Sequence, residues 1–203
     1  KSNSFCTLLG ANSPANAACQ RNHRHPPLAP PLLVAMSTLE RFGVVGDVAI
    51  LRPIDHGVKC KESDVIDIAT ELARNRTVTS VDLSEACVSP EAAKALGAAL
   101  GKNSISAVQH LCLAKCDIHA DGIAVLAPLL AGNERLEVLE LGHNPLRDDG
   151  AGSVAELLAA SQTLRTVDLA ACKIGPSGAR ALGRALAGNT KLRNLSLTNN
   201  KLR

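Results

Sequence analysis

Residues 136–150 read LEVLELGHNPLRDDG, and the spacing within them decides the fold. Leu136, Leu139, Leu141, Asn144, Leu146 and Gly150 follow the order L-x-x-L-x-L-x-x-N-x-L-x-x-x-G. A shift of 28 residues forward finds Leu164, Val167, Leu169, Cys172, Ile174 and Gly178 in the same frame, and a shift of 28 back finds Val108, Leu111, Leu113, Cys116, Ile118 and Gly122. An earlier copy, displaced by 30, reads Val78, Val81, Leu83, Ala86 and Val88. A last, incomplete copy reads Leu192, Leu195, Leu197, Asn200 and Leu202. The second halves recur too, as Leu96 and Leu100, Leu126 and Leu130, Val154 and Leu158, and Leu182 and Leu186. Asn103, Asn133 and Asn189 close three of these halves and Ser161 the fourth. Self-similarity at such a period is the signature of a solenoid.

Each half has a physical reading. The L-x-L core alternates with period two, which predicts a short strand with its aliphatic side chains inward. The second half spaces apolar residues at i and i+4 among Ala, Lys, Arg and Glu, which predicts a helix with one face on the strand layer. Pro90 and Pro176 fall near helix starts, where a missing N–H costs little. Pro128 falls inside a predicted helix and is expected to kink or strain it. Most glycines mark loop-to-helix junctions. Alternating strands and helices give parallel pairing with right-handed crossovers. The expected fold class is therefore α/β, a right-handed β-α superhelix curved into a horseshoe arc with its parallel sheet on the concave side.

These residues resemble the leucine-rich repeats of the ribonuclease-inhibitor type, which also occur in Ran GTPase-activating protein and in nucleotide-binding leucine-rich-repeat receptors. The resemblance covers residues 62–203. It implies a leucine-rich-repeat solenoid, and it is specific to the fold rather than to one function. In this repeat type the ninth position holds an inward Asn or Cys that ties down backbone groups of the loop. Here that position reads Ala86, Cys116, Asn144, Cys172 and Asn200. Asn donates and accepts, Cys does both weakly and Ala does neither, so the Ala86 rung is expected to be the loosest.

Three regions follow: a disordered tail over 1–39, a degenerate N-terminal cap over 40–61, and the repeats over 62–203 with the last one incomplete. The tail holds half of the ten prolines, no acid and no periodicity. It contains Met36, the single methionine, so a natural start at Met36 or upstream is expected. His23 and His25 within it are expected to be solvated. Val65, Ile68 and Leu72 form a helical stripe ahead of the clear copies, and a strand is expected around Val48–Leu51. Leu195, Leu197 and Leu202 would lack a covering layer at Arg203, which predicts that the natural polypeptide continues as further repeats.

Composition narrows the function. With two Phe and neither Tyr nor Trp, the chain offers no platform for stacking bases. From Glu40 onward it carries 19 basic and 19 acidic residues, which argues against a nucleic-acid partner. No run is long enough to span a membrane. Seven cysteines, an odd number with two at equivalent repeat positions, are read as reduced thiols of a cytoplasmic protein. His110, Cys112, Cys116 and His119 suggest zinc, but Cys112 should point to the concave face and Cys116 into the core, so no metal is expected. Cys112 is the thiol expected to be exposed on the sheet, where it could react, with an inert role favoured over a reactive one. Cys60, between Lys59 and Lys61, is read as a surface thiol whose pKa those lysines could lower. No phosphate-loop, nucleophile-elbow or zinc-protease motif is present, and neither catalysis nor a cofactor is expected.

The side chains between the inward residues define the candidate docking surface: Asp82, Cys112, Glu140, Asp168 and Ser196. Ser84, Ala114, Gly142, Ala170 and Thr198 follow one position after the strand, then Glu85, Lys115, His143, Ala171 and Asn199. With strands about 4.8 Å apart, three carboxylates in five rungs form an acidic stripe suited to a protein with a basic patch. The leading expectation is a non-catalytic protein-interaction scaffold. The alternative is a regulatory domain of a larger protein, either a receptor's sensing array or a GTPase activator of the Ran type.

Overall fold

In the computed structural model the described residues are Leu39, Ile50–Leu51 and Cys60–Arg203. The proposed tail as far as residue 38, with His23, His25 and Met36, lies outside them, as does most of the proposed cap.

The elements in order are β1 (Ile50–Leu51), α1 (Glu62–Leu72), β2 (Ser80–Asp82), α2 (Pro90–Leu100), β3 (His110–Cys112), α3 (Ala120–Leu130), β4 (Val138–Glu140), α4 (Arg147–Ala160), β5 (Thr166–Asp168), α5 (Pro176–Gly188) and β6 (Asn194–Ser196). The strands form one six-stranded parallel sheet in sequence order. Register follows the repeat: Leu51 faces Val81, then Leu111, Leu139, Val167 and Leu195 in succession. Each helix packs on the next, and the expected α/β solenoid is thereby established.

The interior is a stack of aliphatic rows. Val81, Leu111, Leu139 and Val167 are fully buried, as are their partners Leu83, Leu113, Leu141 and Leu169. On α1 the buried residues are Val65, Ile68, Ala69 and Leu72, the i, i+3, i+4, i+7 stripe of an amphipathic helix. At 25 cal/mol per Å², enclosing each such Leu contributes about 1.5–3 kcal/mol. Leu39 is also buried, and its N–H donates to Glu71 Oε2 at 3.1 Å.

Helix ends follow local chemistry. Pro90 and Pro176 occupy the first turns of α2 and α5, and Ser89 caps α2 by accepting from Ala92 N at 3.2 Å. Pro128 sits inside α3, which runs continuously from Ala120 to Leu130 around it. Gly122, Gly150 and Gly178 lie within the first turns of their helices, not at left-handed junctions. Gly150 and Gly178 serve close approach, since an added Cβ would come within 2.9 Å of Leu146 Cβ and 2.8 Å of Ala151 Cβ, respectively.

The left-handed positions are filled by other residues. The residue before each ladder position has positive φ: Glu85 62°, Lys115 58°, His143 62°, Ala171 54° and Asn199 57°. In the two Cys rungs the residue after the ladder is left-handed as well, Asp117 at 54° and Lys173 at 59°. Pro145 holds that place in the Asn144 rung, and its ring locks φ near −65°. The positive φ there moves to Arg147, at 58°.

The ladder ties the rungs together. Asn144 Oδ1 accepts from Cys116 N and Ile118 N, both at 3.0 Å, while Nδ2 donates to Leu113 O at 2.7 Å and Leu141 O at 2.8 Å. Cys116 and Cys172 make only thiol contacts, to Leu83 O at 3.1 Å and Leu141 O at 3.2 Å. A second set of caps closes the helices. Asn133 Oδ1 accepts from Arg135 N at 2.7 Å and from Leu136 N, Asn189 Oδ1 from Lys191 N and Leu192 N, and Ser161 Oγ from Thr163 N and Leu164 N. Asn103 does not join this set. From Leu100 to His110 the chain runs two residues longer than between the equivalent positions Leu130 and Val138, Leu158 and Thr166, or Leu186 and Asn194, and Asn103 is exposed with φ 66°. Ser104 takes the capping role instead, accepting from Ser106 N at 3.1 Å.

Candidate functional site

Alternation along each strand sends the residues on both sides of the buried one to the same face, so the sheet presents two columns. The first is Asp82, Cys112, Glu140, Asp168 and Ser196, as expected from sequence spacing. The second is Ser80, His110, Val138, Thr166 and Asn194, which the sequence reading passed over although the same period implies it. Register pairing places both columns in line across the sheet. Most of these residues are half-buried; Cys112 is buried and Asn194 exposed.

The carboxylates of the stripe are held by neighbours. Asp82 Oδ1 accepts from Ser84 N at 3.0 Å and from Ser84 Oγ at 2.6 Å. Glu140 Oε1 lies 3.0 Å from His110 Nε2, and His110 Nδ1 lies 3.4 Å from Ser80 Oγ, so one imidazole spans three strands. Asp168 Oδ1 accepts from Ala170 N at 2.9 Å, and its Oδ2 occupies space that a Cβ on Gly142 would enter at 2.9 Å. Ser196 Oγ stands 3.5 Å from Thr198 Oγ1. Lys115 Nζ pairs with Glu85 Oε1 at 3.0 Å beside the stripe.

Two cysteine expectations are corrected. Cys112 is only 7% exposed. Burial pushes its thiol up to about 12; the hydrogen bond to Glu140 and the charges of Asp82 and Glu140 push the same way against a backbone bond from Ala114. It is not an exposed reactive thiol. Cys60 is 4% exposed rather than on the surface. Its burial, helped by Asp64, raises the thiol to about 11 where Lys59 and Lys61 suggested lowering. Among the described cysteines Cys87 alone is exposed, and all five are free.

The four residues that suggested zinc are not brought together. His110 pairs with Glu140 on the sheet, Cys116 is buried against Leu83 O, and His119 Nδ1 contacts Asp117 O at 2.8 Å at the head of α3. Among the described residues no cluster of three or more His, Cys, Asp or Glu is placed to hold a metal. None of the described helices is long and apolar enough to cross a membrane.

Comparison with known proteins agrees with this architecture. Residues 74–97, 132–155 and 160–183 match the leucine-rich-repeat family profile. Among solved structures, the fold is similar to that titled Leiomodin-1 Actin-Binding Site 2, at a TM-score of 0.57 and 20% identity over 65% of this chain and 78% of that one. A Caenorhabditis elegans tropomodulin C-terminal domain aligns at a TM-score of 0.43 and 14% identity, over 68% of this chain and 65% of that one.

Proposed function

We propose that this leucine-rich-repeat chain is a non-catalytic scaffold that binds another protein across its concave sheet. The carrying observation is the alignment of two side-chain columns on a sheet whose interior face is filled by aliphatic rows, leaving the opposite face half-exposed. Asp82, Glu140 and Asp168 supply an acidic stripe there, with Cys112 and Ser196 between and beyond them. Hydrogen bonds already orient the three carboxylates, which lowers the entropy lost when a basic patch docks. The 28-residue spacing and the helix in every repeat support the ribonuclease-inhibitor subtype. The similar leiomodin-1 structure is of an actin-binding site, but 20% identity supports a shared fold and no shared partner.

The test is charge reversal at the stripe. A partner identified by cross-linking to the complete protein is titrated against wild type and against Glu140→Lys with Asp168→Lys. Two buried or half-buried charge contacts should cost about 2–5 kcal/mol of affinity. Unchanged affinity in the double variant, with the fold intact by circular dichroism, would reject the concave stripe as the docking site.

A further inference from the structure

We propose that the edge of the sheet where β5 and β6 begin is a cleft that docks an acidic segment of a partner protein, with Arg165, Lys191 and Arg193 binding its carboxylates. This rests on the scaffold reading and names the partner's chemistry at a second place on the same sheet.

The overall charge balance conceals a sharp division. Residues 61–156 carry 8 Lys and Arg against 15 Asp and Glu, whereas residues 157–203 carry 8 against one, Asp168. Within this basic end Gln162, Thr163, Arg165, Thr190, Lys191 and Arg193 line a depression of about 260 Å³. Its walls are fixed by backbone geometry. Ser161 Oγ accepts from Thr163 N and Leu164 N, and Asn189 Oδ1 from Lys191 N and Leu192 N, so two successive turns hold the same shape. Arg165 O accepts from Arg193 N at 2.8 Å, which sets the two arginines side by side on adjacent rungs. Glu137 Oε2 lies 3.3 Å from Arg165 Nε and orients that guanidinium, leaving its side chain 47% exposed. Arg193 and Lys191 are exposed and form no ion pair among the described residues.

Alternate side chains of an extended segment share a face about 6.6 Å apart, a span that two flexible arginine side chains rising from rungs about 4.8 Å apart can reach. Arginine forks bind carboxylates through two parallel N–H bonds. A nucleic acid fits less well. The cleft has no aromatic surface for a base, and Glu137 borders it, which disfavours a run of phosphates. An extended partner would then lay its acidic part on this edge and its basic part on the stripe formed by Asp82, Glu140 and Asp168.

The experiment is a backbone-amide NMR titration at low ionic strength with two probes, octaglutamate and octalysine. Octaglutamate should shift Thr163, Arg165, Lys191 and Arg193. Arg165→Ala with Arg193→Ala should weaken it about tenfold, the scale of charge-assisted hydrogen bonds, while octalysine affinity stays unchanged. Arg193→Ala alone, which breaks no ion pair, should weaken octaglutamate in the same direction with no change in melting temperature. Octaglutamate shifts elsewhere on the molecule, or an affinity insensitive to both variants, would overturn the cleft. Tighter binding there of a thymidine oligonucleotide than of octaglutamate would overturn the choice of a protein partner. Loss of octalysine binding with octaglutamate retained would count against the concave stripe alone and leave the cleft supported.

Discussion

Asp148 on α4 caps the following helix: its Oδ1 accepts the backbone N–H of Gly178 at 3.0 Å, and that of Gly175 at 2.6 Å. Four N–H groups at a helix start have no partner within the helix, and a carboxylate there also meets the positive end of the dipole. The repeat thus satisfies the head of α5 with a residue from the rung before. The N-terminal end uses related chemistry, where Ser89 Oγ donates to Glu62 Oε1 at 2.5 Å across the α1–α2 boundary.

Gly178→Ala tests how tightly that junction is packed. The new Cβ would sit 2.8 Å from Ala151 Cβ and 2.9 Å from both Asp148 Oδ1 and Ile174 Cγ2. Overpacking of this kind costs about 1–3 kcal/mol, so the denaturation midpoint should fall. Gly183→Ala, in the same helix with nothing within 4 Å of its Cβ, removes only glycine's helix penalty. It should stabilise by about 0.5–1 kcal/mol. Equal effects from the two substitutions would refute the packing account.

Hydrogen exchange should grade the rungs by their ladder residue. Asn144 makes four bonds at 3.0 Å or shorter to two rungs, Cys116 and Cys172 make weaker thiol contacts, and Ala86 makes none through its side chain. The loop at Ala86 relies on backbone bonds, Ala86 N to Leu83 O at 3.1 Å and Cys87 N to Cys60 O at 3.0 Å. Amides over 81–86 should therefore exchange faster than those over 139–144. Asn144→Ala, which orphans two buried N–H groups, should cost about 2–4 kcal/mol. Slower exchange at 81–86 would contradict the grading.

Strand register and rung order were legible because the inward Leu, Val and Ile of successive copies bury against one another, and a shift of one residue would expose them all. The shared column of Asp82, Glu140 and Asp168 on the sheet was legible from the same alternation. Alternation places Cys112 in the outward column, yet it is 7% exposed, and a count of alternating positions does not carry that burial. Asn103 fits the repeat by residue type, yet the longer α2–β3 connection moved the cap to Ser104. His110 was considered only as a metal ligand, although its strand position places it beside Glu140. The basic cleft escaped notice because a total of 19 against 19 averages two oppositely charged ends.

The buried thiols predict loss of stability at alkaline pH. Cys60 and Cys172 are raised to about 11, and Cys112 and Cys116 to about 12, in each case chiefly by burial. An unfolded cysteine titrates near 8.5. Above that pH the unfolded chain has released protons that the folded chain keeps, so the stabilising term is intact below about 8.5 and is lost as pH rises toward 11–12. Each such thiol contributes a slope of about 1.4 kcal/mol per pH unit in that window. Urea midpoints measured from pH 7 to 10.5 should be flat at first and then fall. A rising midpoint above pH 9 would show that these thiols are not held neutral by the fold. At pH 8 a small alkylating reagent should modify exposed Cys87 well before Cys112.

Gly142→Ala separates the docking surface from the fold that carries it. A Cβ at this position would meet Asp168 Oδ2 at 2.9 Å, and the next contacts, Ala170 O and Asp168 Cγ, lie at 3.6 Å. The clashing atom is the end of a flexible side chain, so Asp168 can rotate away without disturbing β4 or β5. Rotation would break the bond from Ala170 N and displace the fourth carboxylate-column position from the line set by Asp82 and Glu140. Melting temperature should therefore change little, while affinity for a basic probe such as octalysine drops about threefold to tenfold, the scale of one charge-assisted hydrogen bond. A substitution that lowers stability and leaves octalysine binding intact would mean that Gly142 serves the strand packing and that Asp168 lies outside the contact surface.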